Sequence, residues 1–250
     1  MVQLSVDPNP NLPVPVAHAD EDFIVLAKPA GLVTQPGVGH TRDTVLNAAF
    51  ALHGPRLQNL GKARDFGLLH RLDRPTSGLV VVALTPEAYD NLRAQFAERR
   101  VEKTYLALVH GAPKPPSGIE RTPLREARVR GRKRAVLGEG RGAQPAVTRF
   151  HTLVSARGVA LLVCEPQTGR LHQIRAHLAH RGHPVIGDHE YGPPHPLDRA
   201  LGRDRLWLHA AGLRFAHPRT GRRIEVIAPI PAELKEFLVQ MGIAPPRAWR

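Results

Sequence analysis

The sequence contains a single cysteine, Cys164, so the chain cannot form an intramolecular disulfide. No apolar run approaches the length of a bilayer-spanning helix. Residues 1–16 also lack the basic lead and apolar centre of a signal peptide. Acidic residues are few, with 22 Asp and Glu against 35 Lys and Arg. These features exclude a disulfide scaffold and a membrane span, and they predict a cytoplasmic protein.

The charge balance is the strongest compositional signal. The formal net charge is +13 and the sequence pI is near 11.0. A chain this basic predicts a polyanionic partner. Most of the cations are arginines, whose planar guanidinium matches phosphate and stacks on bases. A compositional bias towards Arg, Ala, Pro and Gly accounts for part of the preference for arginine, but it leaves the net charge unexplained.

The order of predicted elements indicates an α+β fold. Residues 1–17 are rich in proline and predict an extended lead-in, and residues 18–250 predict one domain. Apolar patterning predicts strands over 23–27, 101–109, 148–154, 159–164, 206–210 and 212–215, and helices over 44–52, 85–100, 171–181 and 231–241. Because several strands are neighbours in sequence, antiparallel pairing is favoured over a βαβ plan.

One short polar segment, His70–Gly78, places Asp73 between two arginines and between two apolar runs. Nearby cations favour the charged form of a carboxylate. The Pro and Gly residues of the segment predict a turn that leads into a buried strand. A carboxylate held in this way suits a nucleophile or an orienting group. The alternative is an aspartate that only bonds its own turn.

The segment 121–141 is the most basic part of the chain, with eight cations and two acids. Apolar residues alternate with the charges, which predicts a hairpin that projects cations towards the polyanionic partner. The proposed contacts are Arg130, Arg132, Lys133 and Arg134. The alternative is a solvated charged loop.

The histidines that follow, His172, His177, His180 and His183, do not have metal-ligand spacing. On a helix His172 and His177 lie about 140° apart, and no carboxylate or cysteine joins the group at ligand spacing. The sequence therefore predicts no metal site.

Several segments together resemble the RluA-type pseudouridine synthases. The segment around Asp73 is similar to the family signature HRLDxxTSGL. The other matching segments, in chain order, are Lys28–Gly31, Lys103–Ala107, Thr168–Leu178, Pro184–Asp188, Tyr191–Gly192 and Leu208–Ala210. The resemblance covers about residues 20 to 240 and keeps the family's order.

The resemblance implies a mixed, largely antiparallel central sheet with peripheral helices and a central active-site cleft. It implies an isomerase that converts uridine to pseudouridine in a ribosomal or transfer RNA stem-loop, without metal or cofactor. The oligomeric state is open, with a monomer as the default expectation. About twenty residues precede Phe23, too few for the extra RNA-binding domain that some members carry. The alternative is a non-catalytic RNA-binding or ribosome-assembly protein on the same fold.

The resemblance also assigns roles to individual residues. Asp73 is the nucleophile, and Arg71 helps to displace the flipped base. Tyr105 stacks on uracil, as aromatic rings do in RNA recognition. A basic residue pairs with Asp73: Arg170 is favoured, and Arg175 is the alternative, since an arginine beside an apolar helix stripe needs a partner if it is buried. Ile174 forms an apolar floor under the base.

Overall fold

Helices and strands succeed one another without a βαβ repeat in the computed structural model, which describes residues 4–129, 131–202 and 205–249. The strands are β1 (Val16–Ala19), β2 (Phe23–Lys28), β3 (Ser77–Ala83), β4 (Glu102–His110), β5 (Ser117–Glu120), β6 (Leu124–Val129), β7 (Arg132–Leu137), β8 (Thr148–Ala156), β9 (Val159–Pro166), β10 (Leu208–Ala216) and β11 (Arg223–Ile227). The helices are α1 (Val45–Leu60), α2 (Pro86–Ala97), α3 (Gln173–His180), α4 (Pro196–Leu201) and α5 (Ala232–Gln240).

The chain divides into two compact units. The first unit comprises Met1–Glu102 and Gly212–Ala228, and the second comprises Lys103–Ala211 and Pro229–Arg250. The pairs β1–β2, β2–β3 and β10–β11 are antiparallel, as are β4–β9, β8–β9, β5–β8 and β6–β7. The predicted α+β fold with a largely antiparallel sheet is therefore confirmed. The single domain over 18–250 stays a prediction.

The first unit is built on the apolar strands β2 and β3, which pair in register from Phe23 opposite Ala83 to Lys28 opposite Gly78. Every residue of β3 is buried. Phe23 also packs edge-on against Phe215, with 5.2 Å between ring centroids. This pairing places the end of β2 beside the start of β3, where the segment that carries Asp73 enters the sheet.

The second unit has the strand order β4-β9-β8-β5. Alternation along β4 divides its side chains between two core clusters. Leu106 and Leu108 pack with Trp207 and the α5 side chains in one cluster, while Ala107 and Val109 pack with α3 in the other. Tyr105 lies on the α3 side, together with Ala107 and Val109, as the period-two geometry of a strand requires.

No helix in the described ranges is both long and apolar enough to cross a membrane. The longest is α1, which runs past Pro55 with a kink at His53 (φ −137°).

Candidate active site

The ammonium of Lys28, the last residue of β2, is hydrogen-bonded to the loop before β3. Lys28 is only 1% exposed. Its Nζ donates hydrogen bonds to the carbonyl oxygens of Pro29 (3.0 Å), Leu32 (2.6 Å) and Arg74 (3.0 Å). Because a buried charge is costly unless it is hydrogen-bonded, these acceptors fix the two peptide segments against each other.

Two further contacts anchor the same loop. The Thr34 hydroxyl donates to the Leu72 carbonyl (2.9 Å) and accepts from the Leu72 amide (3.1 Å). The Gly31 amide donates to the Arg74 carbonyl (2.8 Å), and the Arg74 guanidinium Nε returns a bond to the Gly31 carbonyl (3.0 Å). The residues on both sides of Asp73 are thereby fixed to the Lys28–Gly31 segment and its continuation.

Asp73 itself begins a tight turn, because its carbonyl accepts from the Thr76 amide at 3.0 Å. Its side chain is half-buried, whereas Arg71 is exposed. The carboxyl group therefore extends from a rigid backbone. Sequence reasoning missed the part played by Lys28 and Thr34, although the family-like Lys28–Gly31 segment was a signal for the first of them.

In the second unit, the turn that carries Arg170 is organised by the buried amide of Gln173 at the start of α3. Gln173 Oε1 accepts from the Thr168 hydroxyl (2.6 Å) and from the Arg170 amide (3.1 Å). Its Nε2 donates to the Val147 carbonyl (3.0 Å). The side chain of Arg170 is half-buried, with Nε donating to the Pro145 carbonyl at 3.2 Å.

Arg175 lies two residues after Gln173 on α3 and forms a buried ion-pair network. Its Nε lies 2.7 Å from Asp188 Oδ2, and its Nη2 lies 2.9 Å from Asp188 Oδ1 and 2.6 Å from Glu190 Oε2. A bidentate pair of this kind is geometrically specific and strong. These contacts supply the partner that a buried arginine needs. Which of the two arginines pairs with Asp73 stays a prediction.

Tyr105 and Ile174 are brought together by the fold. Tyr105 stands on β4 opposite Cys164 of β9. It packs against the apolar cluster that contains Ile174, which is 6% exposed. The two residues proposed to contact the base therefore share one apolar surface of the second unit.

The predicted hairpin is present as β6 and β7, and Tyr191 fastens it to the start of α3. The Tyr191 hydroxyl accepts from the Ala135 amide (2.9 Å) and lies 3.1 Å from His172 Nδ1. The guanidinium of Arg134 lies over the Tyr191 ring, 4.3 Å from its centroid. Burial raises the pKa of Tyr191 to about 12, so the hydroxyl keeps its proton at neutral pH.

Two further cations of the hairpin face solvent. Arg132 and Lys133 are exposed, and Lys133 lies 3.5 Å from Glu126 in a solvent-exposed pair. Arg130 lies outside the described residues. The hairpin thus presents cations from an anchored base, which suits contact with phosphate.

His177 on α3 and His183 just after it have structural partners. His177 is fully buried, with Nδ1 2.9 Å from the Thr148 hydroxyl and Nε2 3.0 Å from the Thr122 carbonyl. The carbonyl requires a proton on Nε2, so both ring nitrogens of His177 are engaged. His183 Nδ1 contacts the His110 carbonyl at 2.9 Å.

One group of three potential metal ligands occurs in the described ranges, namely Asp20, Asp22 and His217 in the first unit. His217 Nδ1 accepts from the Arg219 and Thr220 amides, so its proton is on Nε2, facing Asp20 at 3.3 Å. Arg219 also donates to Asp22 at 2.9 Å. Protein donors already serve these oxygens, and the cluster is an ion-pair network of the fold.

Known proteins resemble this chain over most of its length. The family model for RNA pseudouridylate synthase matches residues 22–180. An RNA pseudouridine synthase of Mycobacterium bovis is 41% identical over 223 residues, which are 89% of this chain and 71% of the relative. The ribosomal large subunit pseudouridine synthase D of Zymomonas mobilis is 35% identical over 238 residues, covering 94% of this chain and 74% of the relative.

Among solved structures, human RNA pseudouridylate synthase domain containing 4 superposes with a TM-score of 0.71 at 25% identity, over 91% of this chain and 92% of that chain. The chain belongs to the RNA pseudouridylate synthase family. It is therefore an RNA-modifying isomerase.

We expect Thr34→Val to loosen the Asp73 loop. The change leaves the Leu72 amide and carbonyl buried without their partner, at a cost of about 1–3 kcal/mol. Amide hydrogen exchange at Leu72 should accelerate about tenfold or more, and urea unfolding should report the loss of stability. Thr41→Val, at an exposed position, is the control and should change stability by less than about 0.5 kcal/mol. Equal exchange in both variants would contradict the anchor.

Stability should depend on pH through His177. Burial lowers the pKa of His177 below its usual 6.5. Below pH 6.5, His177 becomes protonated in the unfolded chain but stays neutral in the folded protein until the pH reaches its lowered pKa. The free energy of unfolding therefore decreases as pH falls. The stability difference between wild type and His177→Gln should therefore shrink by up to about 1 kcal/mol between pH 6.5 and 5.5. Urea titrations at both pH values test this, and an unchanged difference would refute it.

Proposed function

We propose that this protein converts a specific uridine to pseudouridine in structured ribosomal or transfer RNA, with Asp73 as the nucleophile. The supporting observation is the anchoring of the Asp73 backbone by Lys28, Thr34 and Gly31. A turn aspartate that served only its own loop would not need bonds from three separate positions. Holding a reacting group in one geometry is a principal source of catalytic rate.

The reaction breaks the C1′–N1 glycosidic bond, turns the uracil, and joins C1′ to C5. The C5 proton is lost and N1 gains a proton, so the change is an isomerisation. It requires a nucleophile, a partner that holds it and a pocket for an extruded base, and it requires no metal or redox cofactor. An ionised carboxylate serves attack at either C1′ or C6 of the uridine.

The other site residues bind the Asp73 carboxylate or the uracil base in this proposal. Arg170, whose backbone amide is fixed by Gln173, pairs with the Asp73 carboxylate, and Arg175 is the alternative partner. Tyr105 stacks on the flipped uracil and Ile174 lies beneath it, which their shared apolar cluster supports. Arg71, which is exposed beside Asp73, takes the place of the extruded base.

The β6–β7 hairpin is the proposed RNA-contacting surface, with Arg132, Lys133 and Arg134 as phosphate ligands and Arg130 as a further one. The exposure of Arg132 and Lys133 supports the assignment. Phosphate contacts fix register and orientation rather than sequence. We further infer that the protein binds an RNA stem-loop as a monomer in the cytoplasm, in keeping with its one buried cysteine.

Asp73→Asn should abolish pseudouridine formation while RNA binding persists. Removing the nucleophile should lower the rate by at least about 10³-fold. Affinity for RNA should stay equal or rise, because one negative charge is lost. Pseudouridine mapping of RNA from cells that carry each variant, together with filter binding, gives both readouts.

The matched control is Asp90→Asn, which removes only an exposed ion pair with Arg64. Appreciable turnover by Asp73→Asn would refute the mechanism. If wild-type cells and cells lacking the gene carry the same pseudouridines, the non-catalytic RNA-binding alternative is favoured instead.

Replacing Arg132, Lys133 and Arg134 together with glutamine should flatten the salt dependence of RNA binding. Each lost phosphate contact on duplex reduces the slope of log K against log salt by about 0.9, so three contacts amount to about 2.7. A control variant changes Arg222, Arg223 and Lys235 to glutamine, so it has the same net charge as the hairpin variant. Equal slopes for the two variants would remove the hairpin from the interface.

A further inference from the structure

Lys103 is a cation of the second unit that begins the family-like Lys103–Ala107 segment, but the sequence assigns it no catalytic role. It lies near the start of β4, on the same face as Tyr105 two residues later. Its side chain is only partly exposed. Within the described residues its ammonium has no hydrogen-bond or ion-pair partner. This differs from Lys28 and Arg175, whose buried charges are met by several oxygen atoms.

The Lys103 ammonium lies beside the turn that carries Arg170. A Cβ atom built on Gly169 would lie 4.0 Å from Lys103 Nζ. The peptide Thr168–Gly169–Arg170 is itself fixed by Gln173. The second unit therefore brings together an unpaired ammonium, the proposed stacking ring of Tyr105 and the backbone of Arg170.

The environment of Lys103 is unfavourable for a purely structural lysine. Burial lowers its pKa below the usual range, and no carboxylate among the described residues offsets that effect. Below that pKa the charged side chain costs the folded state free energy. Perturbed groups of this kind concentrate at functional sites, where stability is lost in exchange for activity.

We propose that Lys103 is a further catalytic residue, whose ammonium donates a hydrogen bond to a uracil carbonyl oxygen while the base carries negative charge. This rests on the proposed function of the site. A uracil stacked on Tyr105 lies on the β4 face from which Lys103 also projects. A positive charge in a partly desolvated site acts far more strongly on developing charge than it does in water.

The electron balance of the reaction calls for such a donor. When C1′–N1 breaks, both bonding electrons leave with N1, and the negative charge spreads to O2 and O4 of the uracil. If the carboxylate instead attacks C6, the electrons of the C5–C6 bond move towards O4. In both routes the ammonium faces an anionic carbonyl oxygen. After C1′–C5 forms, the C5 proton is released and N1 gains a proton, so Lys103 ends the cycle unchanged.

The test compares Lys103→Met with Lys62→Met, which removes an exposed lysine of the first unit. Single-turnover rates at saturating RNA should fall about 10²-fold for Lys103→Met and stay unchanged for Lys62→Met. The RNA dissociation constant and its salt slope should match wild type. The melting temperature of Lys103→Met should stay equal or rise, because an uncompensated charge has been removed.

A second variant, Lys103→Ala, separates catalysis from structure. Added methylammonium or ethylammonium should restore part of its single-turnover rate, and an uncharged alcohol of the same size should not. Loss of rate with a lowered melting temperature and no rescue by amine would show a structural role and overturn the proposal. Weaker binding and a flatter salt slope at an unchanged saturated rate would make Lys103 a phosphate ligand, which also overturns it.

Asp73→Asn, measured in parallel, separates this inference from the proposed function. If Asp73→Asn is inactive and Lys103→Met is fully active, only the role of Lys103 fails. If Asp73→Asn retains turnover, the proposed nucleophile fails, whatever the result at Lys103.

Discussion

The first unit depends on one buried positive charge. Lys28 ends β2, and the carbonyls of Pro29, Leu32 and Arg74 converge on its ammonium and stabilise it. Leaving such a charge without acceptors costs several kcal/mol. The geometry of the loop before β3 and the pairing of β2 with β3 are therefore linked. Any displacement of the Asp73 turn that moved the Arg74 carbonyl would remove an acceptor from a buried cation.

Much of the framework could be predicted because it follows from local periodicity. The apolar runs of β2 and β3 and the alternation of β4 need only the period-two rule. Helix α2 begins where Thr85 caps it, with the hydroxyl accepting from the Ala88 amide at 3.2 Å. The hairpin of β6 and β7 followed from charged and apolar residues in alternation. Resemblance to a family supplied Asp73 and Tyr105, which periodicity alone cannot distinguish from other polar residues.

What could not be predicted depends on contacts between distant residues. The sequence predicts no strand over 117–120, yet β5 lies there and pairs with β8. Helix α1 was expected to end near Leu52 but continues through Pro55 by kinking at His53. Tyr191 bonds Ala135 across 56 residues, and Gln173 reaches Val147 across 26. These bonds satisfy buried polar groups, a requirement that has no sequence period.

The cations of the second unit differ in how their charge is compensated. This difference distinguishes a cation that stabilises the fold from one that is available to a substrate. Arg175 is buried against Asp188 and Glu190, so removing it would leave uncompensated carboxylates within the fold. Lys103 is partly buried with no such partner in the described ranges, so removing it leaves no protein group unsatisfied. A partly buried cation without a protein partner, such as Lys103, does not stabilise the folded state. In the proposed site, the uracil detached during pseudouridine formation supplies the negative charge opposite Lys103.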